Sequence, residues 1–96
     1  SKYAKETILE RDLLIKELRK AGYMALDSSN NSIHFHDSFK NEKVINIFNK
    51  YQVSFKTGSS ASTPLVVPGD KRTDWIRISV GKGIMNTDYI KEILAE

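Results

Sequence analysis

Apolar residues recur along this chain at two spacings, and the switches between them divide it into elements. Over residues 3–21, Ile8, Leu14, Ile15 and Leu18 follow a 3.6-residue repeat, which predicts an amphipathic helix. Glu10, Arg11, Lys16 and Glu17 are expected on its exposed side, and Gly22 stands where a helix end takes a left-handed residue. Residues 23–26 form a short strand candidate, and the polar run Asp27-Ser28-Ser29-Asn30-Asn31 reads as a turn. Residues 32–36 then alternate with a period of two, Ile33 and Phe35 against His34 and His36, as a half-buried strand does.

The second half repeats the scheme. Asp37 or Ser38 is placed to cap a helix running to about residue 51, with Val44, Ile45, Phe48 and Tyr51 as its buried stripe. Residues 53–56 predict a strand with Val53 and Phe55 opposite Ser54 and Lys56. No periodicity survives over 57–73, where Gly58, Ser59, Ser60, Ser62, Pro64, Pro68 and Gly69 predict a long loop of the kind that closes over sites. Residues 74–80 carry the strongest strand pattern, Ile76, Ile78 and Val80 against Trp75, Arg77 and Ser79. Asn86 is expected to cap a last helix with Tyr89, Ile90, Ile93 and Leu94 apolar. The order α-β-β-α-β-β-α predicts an α+β fold, a small and mostly antiparallel sheet with helices on one face.

Composition narrows the function classes. At 96 residues, with 40% hydrophobic and 28% charged positions, the chain is sized for one ordered domain with a thin core. The absence of cysteine excludes thiol catalysis, disulfides and cysteine-ligated zinc. No apolar run approaches the roughly 20 residues of a membrane span and no signal peptide is evident, so a cytoplasmic protein without a membrane partner is expected. The net charge of +3 comes from lysines spread along the chain, not from the cluster that marks nucleic-acid binding. The chain opens at Ser1, inside the first helix, as a processed or excised piece would.

Strand alternation carries the candidate chemistry. If the apolar positions face the helices, then His34, His36, Ser54, Lys56, Trp75, Arg77 and Ser79 share the other face, which is cationic and holds no acid. The wet side of an antiparallel sheet would give the same pattern. Arg77 adds something more, a rigid fork of donors in mid-strand suited to planar, bidentate recognition of a carboxylate. His34 and His36 have the spacing of two metal ligands, but no third lies in register, so no metal is expected. Ser59, Ser60 and Ser62 lack the glycine-framed elbow of a serine nucleophile. Gly81-Lys82-Gly83 lacks the length and terminal hydroxyl of a phosphate loop and reads as a turn.

The segment Trp75-Ile76-Arg77-Ile78-Ser79-Val80-Gly81, followed by Asn86-Thr87-Asp88-Tyr89-Ile90, resembles the end of fold-type-I pyridoxal-phosphate-dependent aminotransferases. Three further segments resemble that family in the right order. Glu10-Arg11-Asp12-Leu13-Leu14 through Leu18 and Gly22-Tyr23 is similar to its long helix into the C-terminal small domain. Ser29-Asn30-Asn31-Ser32-Ile33 is similar to its S-x-x-N-F segment, with Asn31 matched and Ser32 in place of the aromatic. Tyr51-Gln52-Val53-Ser54-Phe55-Lys56-Thr57 is similar to its G-[IV]-x-[IV]-R-[DP] segment. The likeness covers nearly the whole chain and looks closest to the histidinol-phosphate aminotransferase branch.

The resemblance implies that residues 1–96 are the small domain of a longer enzyme that moves an amino group between an amino acid and a keto acid. Arg77 would hold the substrate α-carboxylate, and Asn31 would be a further substrate contact. Lys56 stands where the branch carries a phosphate-binding arginine and Thr57 where it carries an acid, so histidinol phosphate is not inferred as substrate. The family's cofactor lysine, its pyridine-pairing acid and its phosphate cup lie in the large domain, which is absent here. No catalytic or cofactor-binding residue is therefore expected among these 96, and the piece alone should be inactive. The full-length enzyme would be a homodimer, and the isolated piece a monomer. Two other classes stay open: a stand-alone module binding a phospholigand or nucleic acid on the basic sheet face, and a non-catalytic structural derivative.

Overall fold

The computed structural model describes residues 2–58 and 75–95, with backbone only for the first two. Helix α1 spans Lys2–Lys20, strands β1 and β2 span Met24–Ala25 and Ser32–His36, and α2 spans Asn41–Lys50. Strands β3 and β4 span Lys56–Thr57 and Ile76–Ser79, and a 3-10 turn at Ile84–Asn86 leads into α3 at Asp88–Leu94. The four strands form one antiparallel sheet in the order β1-β2-β4-β3. The α+β class and the alternation of helices and strands agree with the pattern of the sequence.

One face of the sheet makes the core. Ile33, Phe35, Ile76 and Ile78 are buried there with Leu14, Ile15 and Leu18 of α1, Val44, Ile47 and Phe48 of α2, and Ile90 and Ile93 of α3. Phe35 is its pivot. Its ring meets Tyr23 edge-on at 5.6 Å and Phe48 edge-on at 6.5 Å, and Phe48 in turn contacts Phe55 and Tyr89. Such edge-to-face pairs add to the burial of their large apolar surfaces.

Helix α1 ends as its sequence predicts. Gly22 has φ +96°, its N–H donates to the Arg19 carbonyl, and the Tyr23 N–H donates to the Leu18 carbonyl, a Schellman stop. The buried face of α1 is rotated from the expected one. Thr7, Leu14, Ile15 and Leu18 are buried while Ile8 is 46% exposed. Positions 7, 11, 14 and 18 form the inward row at helical spacing, and the chain carries Thr7 and Arg11 in it. The same rotation turns Glu10 and Arg11 toward other segments instead of solvent.

Asp37 caps the turn that leads into α2 and not the helix itself, whose N-cap residue is Lys40. The Asp37 carboxylate accepts the N–H groups of Phe39 and Lys40, and the Asn41 side-chain oxygen accepts the Asp37 N–H. Ile47 takes the buried place expected for Tyr51, which is exposed, and Ile45 is half-buried. The stripe of a ten-residue helix is complete before position 51, which sits past its end. Lys50 meets Glu92 and Lys43 donates to the Ala95 carbonyl, tying α2 to α3.

Two further expectations shift at element ends. The third strand begins at Lys56 and not at residue 53, because the chain is still finishing α2: Gln52 is left-handed, φ +57°, and the Val53 N–H donates to the Phe48 carbonyl. Asn86 does not cap the last helix. It closes the 3-10 turn, and Thr87, extended at ψ 147°, is the residue before α3.

A non-glycine residue in the left-handed region costs about 1–2 kcal/mol in local sterics. Gln52→Gly relieves that cost, offset in part by the greater freedom of glycine in the unfolded chain. The variant is expected to be more stable by about 0.5–1 kcal/mol, read from the urea midpoint at unchanged slope.

Tyr23 generates a pH-dependent prediction. Burial, with the Asp37 charge as the smaller cause, raises its phenol above the ordinary value. The folded state favours the neutral phenol, so this contribution is whole below the unfolded value of about 10 and is lost as pH rises through the folded one. The hydroxyl's bond to the Ile93 carbonyl is long, 3.4 Å. Tyr23→Phe should therefore cost at most about 1 kcal/mol near pH 7, and its stability relative to wild type should improve steadily above pH 10. A gap that stays constant across that range would contradict the assignment.

Candidate substrate-binding face

The antiparallel register lines up three side chains across three strands. His34 on β2 is the direct partner of Arg77 on β4, and Lys56 on β3 is the partner of Arg77 on its other side. Direct partners in an antiparallel ladder have Cβ atoms about 4.5–5.5 Å apart and point to the same face. That face is the one opposite the core, since Ile33, Phe35, Ile76 and Ile78 alternate with these residues and are buried beneath α1, α2 and α3. Arg77 is thus in the centre of the row, on an interior strand, where the backbone holds its base firmly. Arg77 and His34 are half-buried and Lys56 is exposed.

Other expected members of the face separate from this row. Ser54 lies before the start of β3 and belongs to no strand. His36 and Trp75 continue the face toward one end of the sheet, but both are buried, 6% and 5% exposed. Their rings meet edge-on at 4.3 Å, which makes that end an aromatic floor and not a wet surface. Met24, the partner of His36 on edge strand β1, extends it. At the opposite end Ser79 is exposed, beside its partner Ser32. The face therefore runs from aromatic, through cationic, to small and polar.

Asn31 does not join Arg77. It precedes β2, its carbonyl accepts the Val80 N–H at 2.6 Å, and it lines a cavity against α1. Alternation explains the separation, because position 31 has the parity of Ile33 and Phe35. Among the described residues no group of three or more histidine, cysteine, aspartate or glutamate side chains could hold a metal ion. The segment expected to close over the site lies, from residue 59 to 73, outside the described residues, as does Asp74.

Glu10 makes a structural contact that the sequence pattern missed. Its carboxylate accepts the Gly83 N–H at 2.5 Å and the Met85 N–H at 3.2 Å, and Lys82 meets Glu6 on the same helix at 3.2 Å. Gly83 is left-handed, φ +84°, so the turn after β4 presents its N–H groups as a small anion cradle. The anion in that cradle is the chain's own. The Gly81-Lys82-Gly83 sequence held the signal, since successive N–H groups in such a turn need an acceptor.

Like charges directly opposite one another destabilise a sheet, and opposite charges stabilise it by about 0.2–1 kcal/mol per pair. Lys56→Glu should therefore raise stability by about that amount in chemical denaturation at pH 7, while weakening any anion held at Arg77. A loss of stability would mean that Lys56 is kept for the fold. No protein-family model, no curated protein and no solved structure matches this chain.

Proposed function

We propose that the cationic row His34–Arg77–Lys56 is a carboxylate clamp, and that the chain is the substrate-side small domain of a pyridoxal-phosphate-dependent aminotransferase. The observation that supports this reading best is the position of Arg77. It stands at mid-strand on the interior strand β4, on the face that the helices leave open, with a second cation in register beside it. A guanidinium held in this way presents two parallel N–H donors to a carboxylate, which fixes its plane as well as its position. Lys56 adds a point charge that raises the local potential for anions.

In this reading Arg77 binds and orients the amino-acid substrate, and orientation is its contribution to rate. The cofactor supplies the electron sink for the chemistry. The residues described here do not themselves fit it. Every lysine with a described side chain is exposed except Lys40, whose ammonium is engaged by the Ala21 carbonyl and the Tyr23 ring. The cofactor site is accordingly assigned to a large domain elsewhere in the same chain, with the active enzyme a cytoplasmic homodimer. No helix of the described residues is long and apolar enough to cross a membrane.

A nucleic-acid module on the same face is less well supported. Single strands are held by exposed aromatic side chains on which bases stack, and Trp75, the aromatic ring of this face in β4's register, is buried against His36.

In the full-length protein, Arg77→Ala is expected to lower kcat/KM for amino-acid substrates by at least about 100-fold, and Arg77→Lys to restore part of it. The Ala variant should keep its folding transition, because Arg77 lies outside the core. An Ala variant with unchanged kcat/KM would refute the clamp. A full-length protein with no cofactor absorbance and no transamination would refute the enzyme and leave the anion site to be tested by itself.

A further inference from the structure

A cavity lined by polar donors lies on the helix side of the sheet, away from Arg77. The face of α1 carrying Ala4, Thr7, Ile8 and Arg11 and the turn Ser29-Asn30-Asn31 line a half-open cavity of about 310 Å³. The Arg11 side chain is 12% exposed. It makes two hydrogen bonds, from Nε to Asp12 and from Nη1 to the Asn30 carbonyl, each 3.0 Å. A guanidinium has five N–H donors. Three therefore remain on a half-buried cation that lines a cavity. The Asn31 amide and the Ser29 hydroxyl, which line the same cavity, make no hydrogen bond within the described residues.

None of these Arg11 nitrogens is both buried and unpaired, so they stay open to solvent at the cavity, where an acceptor from outside can displace water. We infer that this cavity binds a small aliphatic carboxylate, its oxygens on Arg11 and Asn31 and its hydrocarbon tail against Ala4 and Ile8. The exposure of Ile8, 46% on a helix whose other large aliphatic residues are divided between core and surface, gives the tail an apolar wall. A carboxylate fits better than a phosphate for two reasons. The fork of one guanidinium matches a planar monoanion, and Asp12, already bound to Arg11, makes the locus unfavourable for a dianion. The cavity stands at the lower end of the range of small-molecule sites, which suits a short acid of about four to six carbons. The site shares no residue with the cationic row of the sheet, so it stands whether or not Arg77 is a substrate clamp.

Butyrate titrated into the 96-residue chain, followed by two-dimensional 1H–15N spectra, tests the inference. The side-chain amide of Asn31 and the Nε–H of Arg11 should shift saturably, with a dissociation constant on the order of 1 mM. Butyramide, the neutral isostere, should leave them in place at the same concentration. Arg11→Gln should weaken butyrate at least about tenfold. Asn31→Asp should do the same by placing a carboxylate at the mouth while removing no side-chain hydrogen bond used by the fold. Arg77→Ala should leave the titration unchanged, which separates this site from the sheet face. No saturable shift, equal shifts with butyramide, or undiminished binding in Asn31→Asp would each overturn the assignment.

Discussion

The pairing of β2 with β4 is the constraint on which the rest depends. These strands are 45 positions apart along the sequence at the Ile33–Ile78 pair, yet they form the centre of the sheet. Their register decides two things together. It puts Ile33, Phe35, Ile76 and Ile78 beneath the helices, and it puts His34 beside Arg77 on the opposite face. A slip of one residue would drive Arg77 into the core and Ile78 into water. The core thus enforces the position of the Arg77 backbone and the face to which its side chain points. The ends of the pairing are secured separately: the Val80 N–H reaches the Asn31 carbonyl, and Glu10 holds the turn that follows.

Against that background, the placement of Lys56 is informative. An edge strand of two residues has little ladder energy to spare, and its one outward-facing side chain is a cation set directly beside another cation. A sheet selected for stability alone would carry an acid or a hydroxyl there. Its Cβ lies beside that of Arg77, so the pair sets two basic side chains on the same face of the sheet. The Gln52 backbone points the same way, since the left-handed residue ends α2 abruptly and lets the chain reach β3 within a few positions.

How far the sequence could be read follows from which rules operate locally. Alternation in β2 and β4 was legible because Ile33, Phe35, Ile76 and Ile78 have no competing helical pattern, and the sharing of a face by His34, Lys56 and Arg77 followed from it. Gly22 announced the end of α1 because only its backbone tolerates that turn without strain. The end of α2 was not announced, because Gln52 takes the same geometry without being glycine. The rotation of α1 was hidden for a different reason. Ile8 has the chemistry of a core residue, and only the sheet's position shows that Thr7 and Arg11 occupy the inward row. The burial of His36 and Trp75 likewise involves a ring contact between positions 39 apart in the sequence, which no local pattern announces.

Asn31 joins these observations. Its family-like context suggested a substrate contact, yet the parity that brings Arg77 to the open face carries Asn31 to the helix side. The two donor-rich positions are therefore separated by the sheet itself, and a single small ligand has no route to both. What unites them is a division of labour among the anions and cations of the chain. At the turn after β4 the donors are N–H groups, and Glu10 satisfies them from within. At Arg11 the internal acceptors, Asp12 and the Asn30 carbonyl, satisfy only part of the guanidinium. The physical distinction between a structural contact and a binding site lies in that remainder: a donor set closed by its own chain rigidifies the fold, and one left open to a cavity has capacity for an acceptor from outside.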